Sequence, residues 1–179
     1  MGFETAWGQW QHQGWIFRLA ATSQGLAYLG LPNQNESDFY RWIALHLGQT
    51  PTTEAQNEEV LQPYIDVLEQ YFRGRIRVFD VRLDLHGTPF QKSVWKWLTQ
   101  IPYGGTRSYA DVARGIGRPT ASRAVAQAVG RNPISIIVPC HRVIGSNGAL
   151  VGYGGGLALK TEFLRLEGLT IENGRVNAT

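Results

Sequence analysis

The sequence predicts an α+β fold in two modules, a small amino-terminal β-sheet with helices and a mostly helical carboxy-terminal part. Three observations predict it. Strand-like patterns occur at residues 14–31 and 78–85, capped helical patterns dominate residues 88–129, and the net charge changes sign near residue 86. With 179 residues, 43% of them hydrophobic, the chain is long enough to bury a core in one or two domains.

Opposite net charges distinguish the two modules. Residues 1–85 contain 6 Lys/Arg and 10 Asp/Glu, a net charge of −4, whereas residues 86–179 contain 11 and 4, a net charge of +7. The basic excess predicts a nucleic acid partner for the second module, the alternative being an ordinary solvated surface. No apolar run approaches the ~20 residues of a membrane span, and the first residues lack the features of a signal peptide, so we expect a cytoplasmic protein without membrane contact.

The amino-terminal module begins with a predicted β-hairpin, in which GWIFRLAAT and LAYLGL flank the turn SQG. A helix after Asn35 has its apolar residues on one side, and a second helix within EEVLQPYIDVLEQYF starts or kinks at Pro63. The apolar side of the first helix comprises Phe39, Trp42, Ile43 and His46 or Leu47. VFDVRLDL, at residues 78–85, alternates apolar and charged residues, which predicts a strand with one buried face.

The second module opens with a helix that we expect to run to about Gln100. Thr88 caps it, Pro89 fits its first position, and Gln91 completes a capping box. The break after this helix contains Pro102 and a glycine pair, which leads into a further capped segment.

Two shorter helices follow this break. Ser108 and Asp111 form the capping box of a helix through Ile116, and a third helix is predicted over residues 119–129, ended by Gly130. Two short helices joined by a glycine-containing turn are typical of a helix-turn-helix.

The third helix has an apolar stripe and an outward face when it is plotted at about 100° per residue. The stripe comprises Ala121, Ala124, Val125, Ala128 and Val129. Arg123 lies nearly opposite, among small side chains, which let a large partner approach the backbone while the arginine reaches into it. The alternative is a solvated arginine on an ordinary amphipathic helix.

The only cysteine, Cys140, follows the apolar run ISIIV, which predicts a buried strand ending at Pro139-Cys140 under a glycine-rich loop. A free thiol has a pKa near ~8.5 and attacks only as the thiolate, so the adjacent His141 and Arg142 are candidates to accept its proton or stabilise its charge. Neighbours in a strand point to opposite faces, so we expect His141 to reach the sulfur through a water or a local bend. The residues alone leave an inert buried thiol open.

Other uses of cysteine and histidine fit the sequence less well. One cysteine and four separated histidines cannot form a structural zinc site at the usual spacings, and we expect no metal and no cofactor. The histidines are His12, His46, His86 and His141. A cysteine hydrolase with Cys140 as nucleophile and His141 as base stays open, although it would leave the helix-turn-helix without a task.

Residues 87–168, from GTPFQ to RLEG, resemble the catalytic domain of the O6-alkylguanine-DNA alkyltransferases, also called methylated-DNA–protein-cysteine methyltransferases. PCHRV after NP, with RAV upstream and GYGGG downstream, is far more specific than any single short motif. YFRG also resembles the amino-terminal domain of the family. The resemblance implies a ribonuclease H-like domain at 1–86, a winged-helix-like domain with the helix-turn-helix at 87–170, and a tail at 171–179.

The resemblance also implies the chemistry. Cys140 would accept the alkyl group of guanine O6 irreversibly, so that each molecule acts once. His141 would act through a water, Glu167 would orient the imidazole, and Asn132 would brace the site. Tyr109 would press on the target phosphate, help to rotate the nucleotide out of the duplex, and protonate the leaving guanine.

Further positions are implied to hold the base and the DNA. The pocket would include the Val143 carbonyl, which accepts from the guanine amino group, together with Tyr153, Gly154 and Ser135. Arg123 would take the vacated place in the base stack, with its helix in the minor groove of double-stranded DNA. The other DNA-facing residues would be Tyr109, Ser122, Ala124, Ala126 and Ser146.

Two positions depart from the family pattern. Ala126 stands where many members have glycine, which adds a methyl group to the DNA-facing helix, and Gly154 stands where some have serine, so backbone N–H groups would have to contact O6.

Alkyltransferase-like relatives bind the same lesions without transfer because another residue replaces the cysteine, and Cys140 argues against that alternative. No motif in the first 85 residues favours a transcription regulator. We expect a monomer, with O4-alkylthymine an open second substrate.

Overall fold

The structure, a computed structural model, describes residues 5–32, 34–51 and 55–177 and has an α+β architecture. Contacts between Cα atoms divide the chain into two units. The first takes in the described residues up to His86 together with Pro133–Ser135, and the second takes in Gly87–Asn132 and the described residues from Ile136 onward. No helix in these ranges is long and apolar enough to cross a membrane.

A three-stranded antiparallel sheet in the order β1-β2-β3 forms the centre of the first unit. Its strands are β1 Thr5–His12, β2 Trp15–Thr22 and β3 Gly25–Gly30. The predicted hairpin at SQG is confirmed, and the structure adds β1, whose apolar pattern is interrupted by Gly8 and by glutamines. A two-residue turn joins β1 to β2, and both of its residues, Gln13 and Gly14, have a positive φ that matches the strand twist.

Both predicted helices of the first unit are confirmed. Helix α1, Glu36–Leu47, begins after Asn35, whose side chain accepts from the Ser37 amide at 3.0 Å. Its apolar side packs on the sheet in a cluster of Trp7, Ala20, Tyr28, Phe39 and Ile43. A 3-10 helix, Glu58–Leu61, leads into α2, Gln62–Phe72, which has Pro63 in its first turn.

The strand predicted at residues 78–85 is wrong as a regular strand. In the described part of this segment one residue, Leu83, forms a bridge, which pairs it with Leu26 of β3. The Leu26 amide donates to the Arg82 carbonyl at 2.9 Å, and the Leu26 carbonyl accepts from the Asp84 amide at 2.8 Å. Alternation of apolar and charged residues indicates which side chains are half-buried, but pairing depends on a neighbouring strand that the alternation does not specify.

Three helices of the second unit pack on one another. They are α3 Pro89–Leu98, α4 Tyr109–Gly115 and α5 Ser122–Gly130. The capping boxes at Thr88 and Ser108 are both confirmed. Helix α5 begins three residues later than predicted, because the chain first makes a turn in which the Ala121 amide donates to the Arg118 carbonyl. It also includes Gly130, which we expected to lie beyond its end.

The second unit also contains a short parallel pair of strands, β4 Arg107–Ser108 and β5 Val143–Ile144. Helix α6, Leu157–Leu166, follows the glycine-rich loop. The segment that we set apart as a tail contains the hairpin of β6 Ile171–Glu172 and β7 Arg175–Val176. This hairpin bonds to the loop after β5, since the Gly174 carbonyl accepts from the Leu150 amide at 2.8 Å.

Candidate active site

The apolar run before Cys140 is buried as expected, but the predicted strand is wrong. Ile134 forms one bridge, to Leu29. Ile136 then adopts a φ of 71°, a left-handed conformation that is rare for a β-branched residue and that turns the chain. Cys140 begins a 3-10 helix, Cys140–Arg142, directly after Pro139. A tight helical turn therefore positions the thiol, and the alternation of strand faces does not apply to Cys140 and His141.

The Cys140 side chain lies in a nearly closed environment, with 6% of the residue exposed. Burial raises the pKa of the thiol, while the Asn132 side chain, which bonds to it, and the positive charge of Lys160 act in the opposite direction. The Asn132 amide group also donates to the Val138 carbonyl at 2.8 Å, so Asn132 braces the segment that leads to the cysteine. The resting thiol is protonated at neutral pH and needs a base before it can attack.

The Glu167 carboxylate is a buried acceptor for three residues. The His141 Nε2 atom lies 2.8 Å from Oε1, Arg142 binds both carboxylate oxygens at 2.7 to 3.1 Å, and the Gly104 amide donates to Oε2 at 3.1 Å. Burial opposes the charge of Glu167, but the hydrogen bonds from His141 and Arg142, together with the positive charge of Arg142, outweigh it and lower the pKa to about 2. Glu167 is therefore an anion at neutral pH.

An anionic Glu167 determines which nitrogen of His141 bears the proton. A carboxylate can only accept, so Nε2 donates to it and Nδ1 retains a lone pair. Burial lowers the pKa of His141 and outweighs the hydrogen bond and negative charge of Glu167, which act in the opposite direction, while Arg142 and Lys160 add to the lowering; the ring is therefore neutral at neutral pH. Nδ1 is buried and has no hydrogen-bonding partner among the described residues. His141 is thus a neutral base with its accepting nitrogen available.

Tyr109 and Tyr153 lie at the glycine-rich loop. The Tyr109 hydroxyl donates to the Val151 carbonyl at 3.1 Å, and burial raises its pKa, with a further contribution from Cys140 when that thiol is ionised. The Tyr153 ring is half-buried and meets Phe163 edge to face. Gly154 is exposed in the turn that follows.

The other two residues that the resemblance assigns to the base pocket, Val143 and Ser135, are both buried. The Val143 carbonyl accepts from Lys160 at 2.6 Å. Ser135 belongs to the first unit, where its amide donates to the Leu29 carbonyl at 3.0 Å.

Helix α5 presents the predicted outward face. Arg123 and Ala124 are exposed, and Ser122 and Ala126 are half-buried. The assignment of Ala124 to the inward stripe is wrong, because the buried stripe is narrower than predicted and consists of Val125, Ala128 and Val129. Ser146 is exposed at the rim of an open hollow of about 440 Å³. Arg107 and Arg114, which were not among the predicted site residues, line the same hollow.

One buried group near the thiol was missed altogether. Lys160 on α6 is 0% exposed, and burial lowers its pKa to about 8, while Cys140, when it is ionised, acts in the opposite direction. A lysine usually marks the solvated face of a helix. The signal for its burial was its spacing, since Lys160 precedes Phe163 and Leu164 by three and four residues and so lies on the apolar stripe.

Comparison with known proteins connects this geometry to one family. Residues 89–169 match the family model described as 6-O-methylguanine DNA methyltransferase, DNA binding domain. The inducible methylated-DNA–protein-cysteine methyltransferase of Bacillus subtilis is 41% identical over 161 residues, which cover 90% of this chain and 89% of the relative.

Solved structures give the same result. The crystal structure of Mycobacterium tuberculosis O6-methylguanine methyltransferase has a TM-score of 0.74 at 43% identity and covers 91% of this chain and 92% of that one. A structure of Mycobacterium tuberculosis OGT in complex with DNA has a TM-score of 0.70 at 45% identity, with 85% and 86% covered. The chain belongs to the methylated-DNA–protein-cysteine methyltransferase family of enzymes.

Proposed function

We propose that the chain repairs O6-alkylguanine in double-stranded DNA by one irreversible transfer of the alkyl group to Cys140. The observation that supports this most directly is the buried hydrogen bond between Glu167 and His141, the residue next to Cys140. An ionised Glu167 holds a neutral His141, whose other nitrogen is available as a base, beside the only cysteine of the chain.

The proposed reaction uses the groups as the geometry presents them. His141 Nδ1 takes the thiol proton through a bridging water, and the thiolate attacks the alkyl carbon. A carbon–sulfur bond forms, the bond between that carbon and guanine O6 breaks, and its electron pair stays with guanine. Tyr109 protonates the leaving base and is reprotonated from the imidazolium. For this step the Tyr109 hydroxyl must leave the Val151 carbonyl that it now contacts.

The proposed mode of DNA binding uses α4 and α5 as a helix-turn-helix, with α5 in the minor groove. Arg123 is exposed among small residues, which suits insertion into the gap that a flipped nucleotide leaves. A weakly paired, damaged base costs less to extrude, which favours the lesion. The winged-helix-like and ribonuclease H-like descriptions of the two units, a monomeric state and a reducing, cytoplasmic setting belong to the same proposal.

Intact mass measurement tests the function directly. The protein is mixed with a duplex that contains one O6-methylguanine, with an undamaged duplex and Cys140→Ala as controls, and the products are mapped by peptide. We expect one added methyl group on the peptide that contains Cys140, saturating at one per molecule and absent from both controls. An unchanged mass with tight, selective binding of the damaged duplex would instead identify a lesion-sensing protein. A duplex with O4-methylthymine tests the second substrate.

A further inference from the structure

Lys160 is a fully buried cation for which the reaction proposed above has no role. Three backbone carbonyl oxygens accept from its ammonium group, those of Val143 at 2.6 Å and of Val151 and Gly152 at 3.3 Å each. An ammonium has three N–H donors, so these acceptors match its full capacity. Burying a charge in this way is costly, and the three bonds offset the loss of hydration.

We propose that Lys160 is a positioning residue for alkyl transfer, which fastens the loop at Val151-Gly152 to the Val143 carbonyl and so fixes the pocket beside Cys140. The inference rests on the proposed function, because it names a group that holds the same site in its working geometry.

The three acceptors come from two separate segments. Val143 begins β5 directly after the 3-10 helix that contains Cys140, whereas Val151 and Gly152 precede Tyr153 in the glycine-rich loop. The ammonium group also lies 5.9 Å from the centre of the Tyr153 ring. One side chain from α6 therefore connects the segment of the nucleophile to the loop that would cover the base.

The Val151 carbonyl has a second donor, the Tyr109 hydroxyl. When Tyr109 turns to the substrate, this carbonyl loses one hydrogen bond but keeps the one from Lys160. A carbonyl oxygen has two lone pairs, so the Val143 carbonyl has capacity for one further donor besides Lys160. Lys160 thus allows Tyr109 to move and Val143 to receive the guanine amino group while the loop stays in place.

The positive charge of Lys160 also affects the ionisation of Cys140. Its ammonium attracts the developing thiolate of Cys140, which lowers the pKa of a thiol that burial has raised. Removal of the charge is therefore expected to move the titration of the thiol to higher pH, which loss of packing alone does not do.

The test compares Lys160→Met, which keeps an apolar stem and removes charge and donors, with Lys160→Gln, which keeps two N–H donors without the charge. Lys96→Met, at an exposed lysine of α3, is the matched control. For each protein we would measure affinity for the O6-methylguanine duplex, the single-turnover rate of methyl transfer, and the pH dependence of Cys140 modification by iodoacetamide.

We expect Lys160→Met to bind the duplex with unchanged affinity and to transfer the methyl group about tenfold to a hundredfold more slowly, the loss that a small misplacement causes. Its thiol titrates at higher pH. Lys160→Gln shows the same titration shift with a smaller loss of rate, and it serves alone if Lys160→Met does not fold. A wild-type rate and thiol titration in either folded variant would overturn the inference. Absence of transfer by the wild type would instead overturn the proposed function.

Discussion

At the scale of single residues, the site depends on the ionisation of Glu167. Its carboxylate accepts from His141, Arg142 and Gly104 inside the second unit, and its side chain is 0% exposed. Arg142 is itself buried and donates a further hydrogen bond to the Ile101 carbonyl at 2.6 Å. Protonation of Glu167 would leave a buried guanidinium without its counter-charge, which proteins tolerate poorly.

This arrangement predicts a loss of stability in acid. The pKa of Glu167 is about 2 in the folded chain against an ordinary value of 4.5. Between these values the unfolded chain binds a proton that the folded chain does not, so the free energy of unfolding falls as the pH drops, by about 3 kcal/mol in all. Urea denaturation between about pH 5 and about pH 3 measures the larger part of this fall, about 2 kcal/mol, which we expect to be smaller in Glu167→Gln.

Glu162, which is exposed on α6 just before Glu167, provides the control. Glu162→Gln should retain the acid sensitivity of the wild type, since its carboxylate is solvated. The same loss of stability in Glu167→Gln as in the wild type would show that the ion pair with Arg142 does not make this contribution.

At the scale of elements, α3 and α4 touch at Gly115. An added Cβ there would lie 2.2 Å from atoms of the Trp97 indole ring, far inside van der Waals contact. Because Gly115 has no side chain, the Trp97 ring can lie directly against its backbone, and α3 and α4 pack closely before the turn that leads to α5.

Gly115→Ala is therefore expected to lower the free energy of unfolding by about 1–3 kcal/mol, the usual cost of overpacking, although alanine favours helix. Chemical denaturation measures the change. Gly130→Ala on α5 is the matched control, because an added Cβ there meets nothing within 4 Å. Equal stability of the two variants would contradict the described contact.

The elements also show what sequence reasoning can reach. Helices with local signals, such as the capping boxes at Thr88 and Ser108, were predicted because the side chain and its backbone partner are three residues apart. The segments 78–85 and ISIIV were predicted as strands and are not, because pairing depends on residues distant in sequence. The positive φ of Ile136 in particular has no local signal, since β-branched residues ordinarily favour extended backbone.

At the scale of the whole molecule, charge is unevenly distributed along the chain. The net charge of +7 over residues 86–179 lies in the half that contains α5 and the hollow lined by Arg107 and Arg114. A protein that neutralises phosphates with such residues releases counterions, and its affinity for DNA then falls as salt rises.

We expect the dissociation constant for the damaged duplex to rise at least about tenfold between about 50 and 200 mM salt, the change that two phosphate contacts would give. Fluorescence anisotropy measures it. Methyl transfer from O6-methylguanine supplied as the free base, followed by mass, should stay constant over the same range because no phosphate is involved. A salt-independent affinity for the duplex would refute the electrostatic mode of binding.

Only part of the site could be predicted from the sequence, because some of its contacts join segments that are distant in the chain. Cys140 and His141 are neighbours in the chain, and the motif around them was apparent in the sequence. The structure adds that Glu167 binds Arg142 as well as His141, and that Lys160 reaches three carbonyls. Both findings depend on α6 lying against the 3-10 helix, a contact between segments that no local pattern specifies.

The burial of Cys140 has a consequence for how long the protein remains usable. A thiol that is 6% exposed and kept protonated by its surroundings is a poor target for oxidants and electrophiles dissolved in the cell. A single-use acceptor needs such protection, because any accidental modification would remove the molecule from service as completely as a repair event. Under the proposed function, the burial of Cys140 means that the single reaction of each molecule takes place with an alkyl group that DNA brings into the pocket.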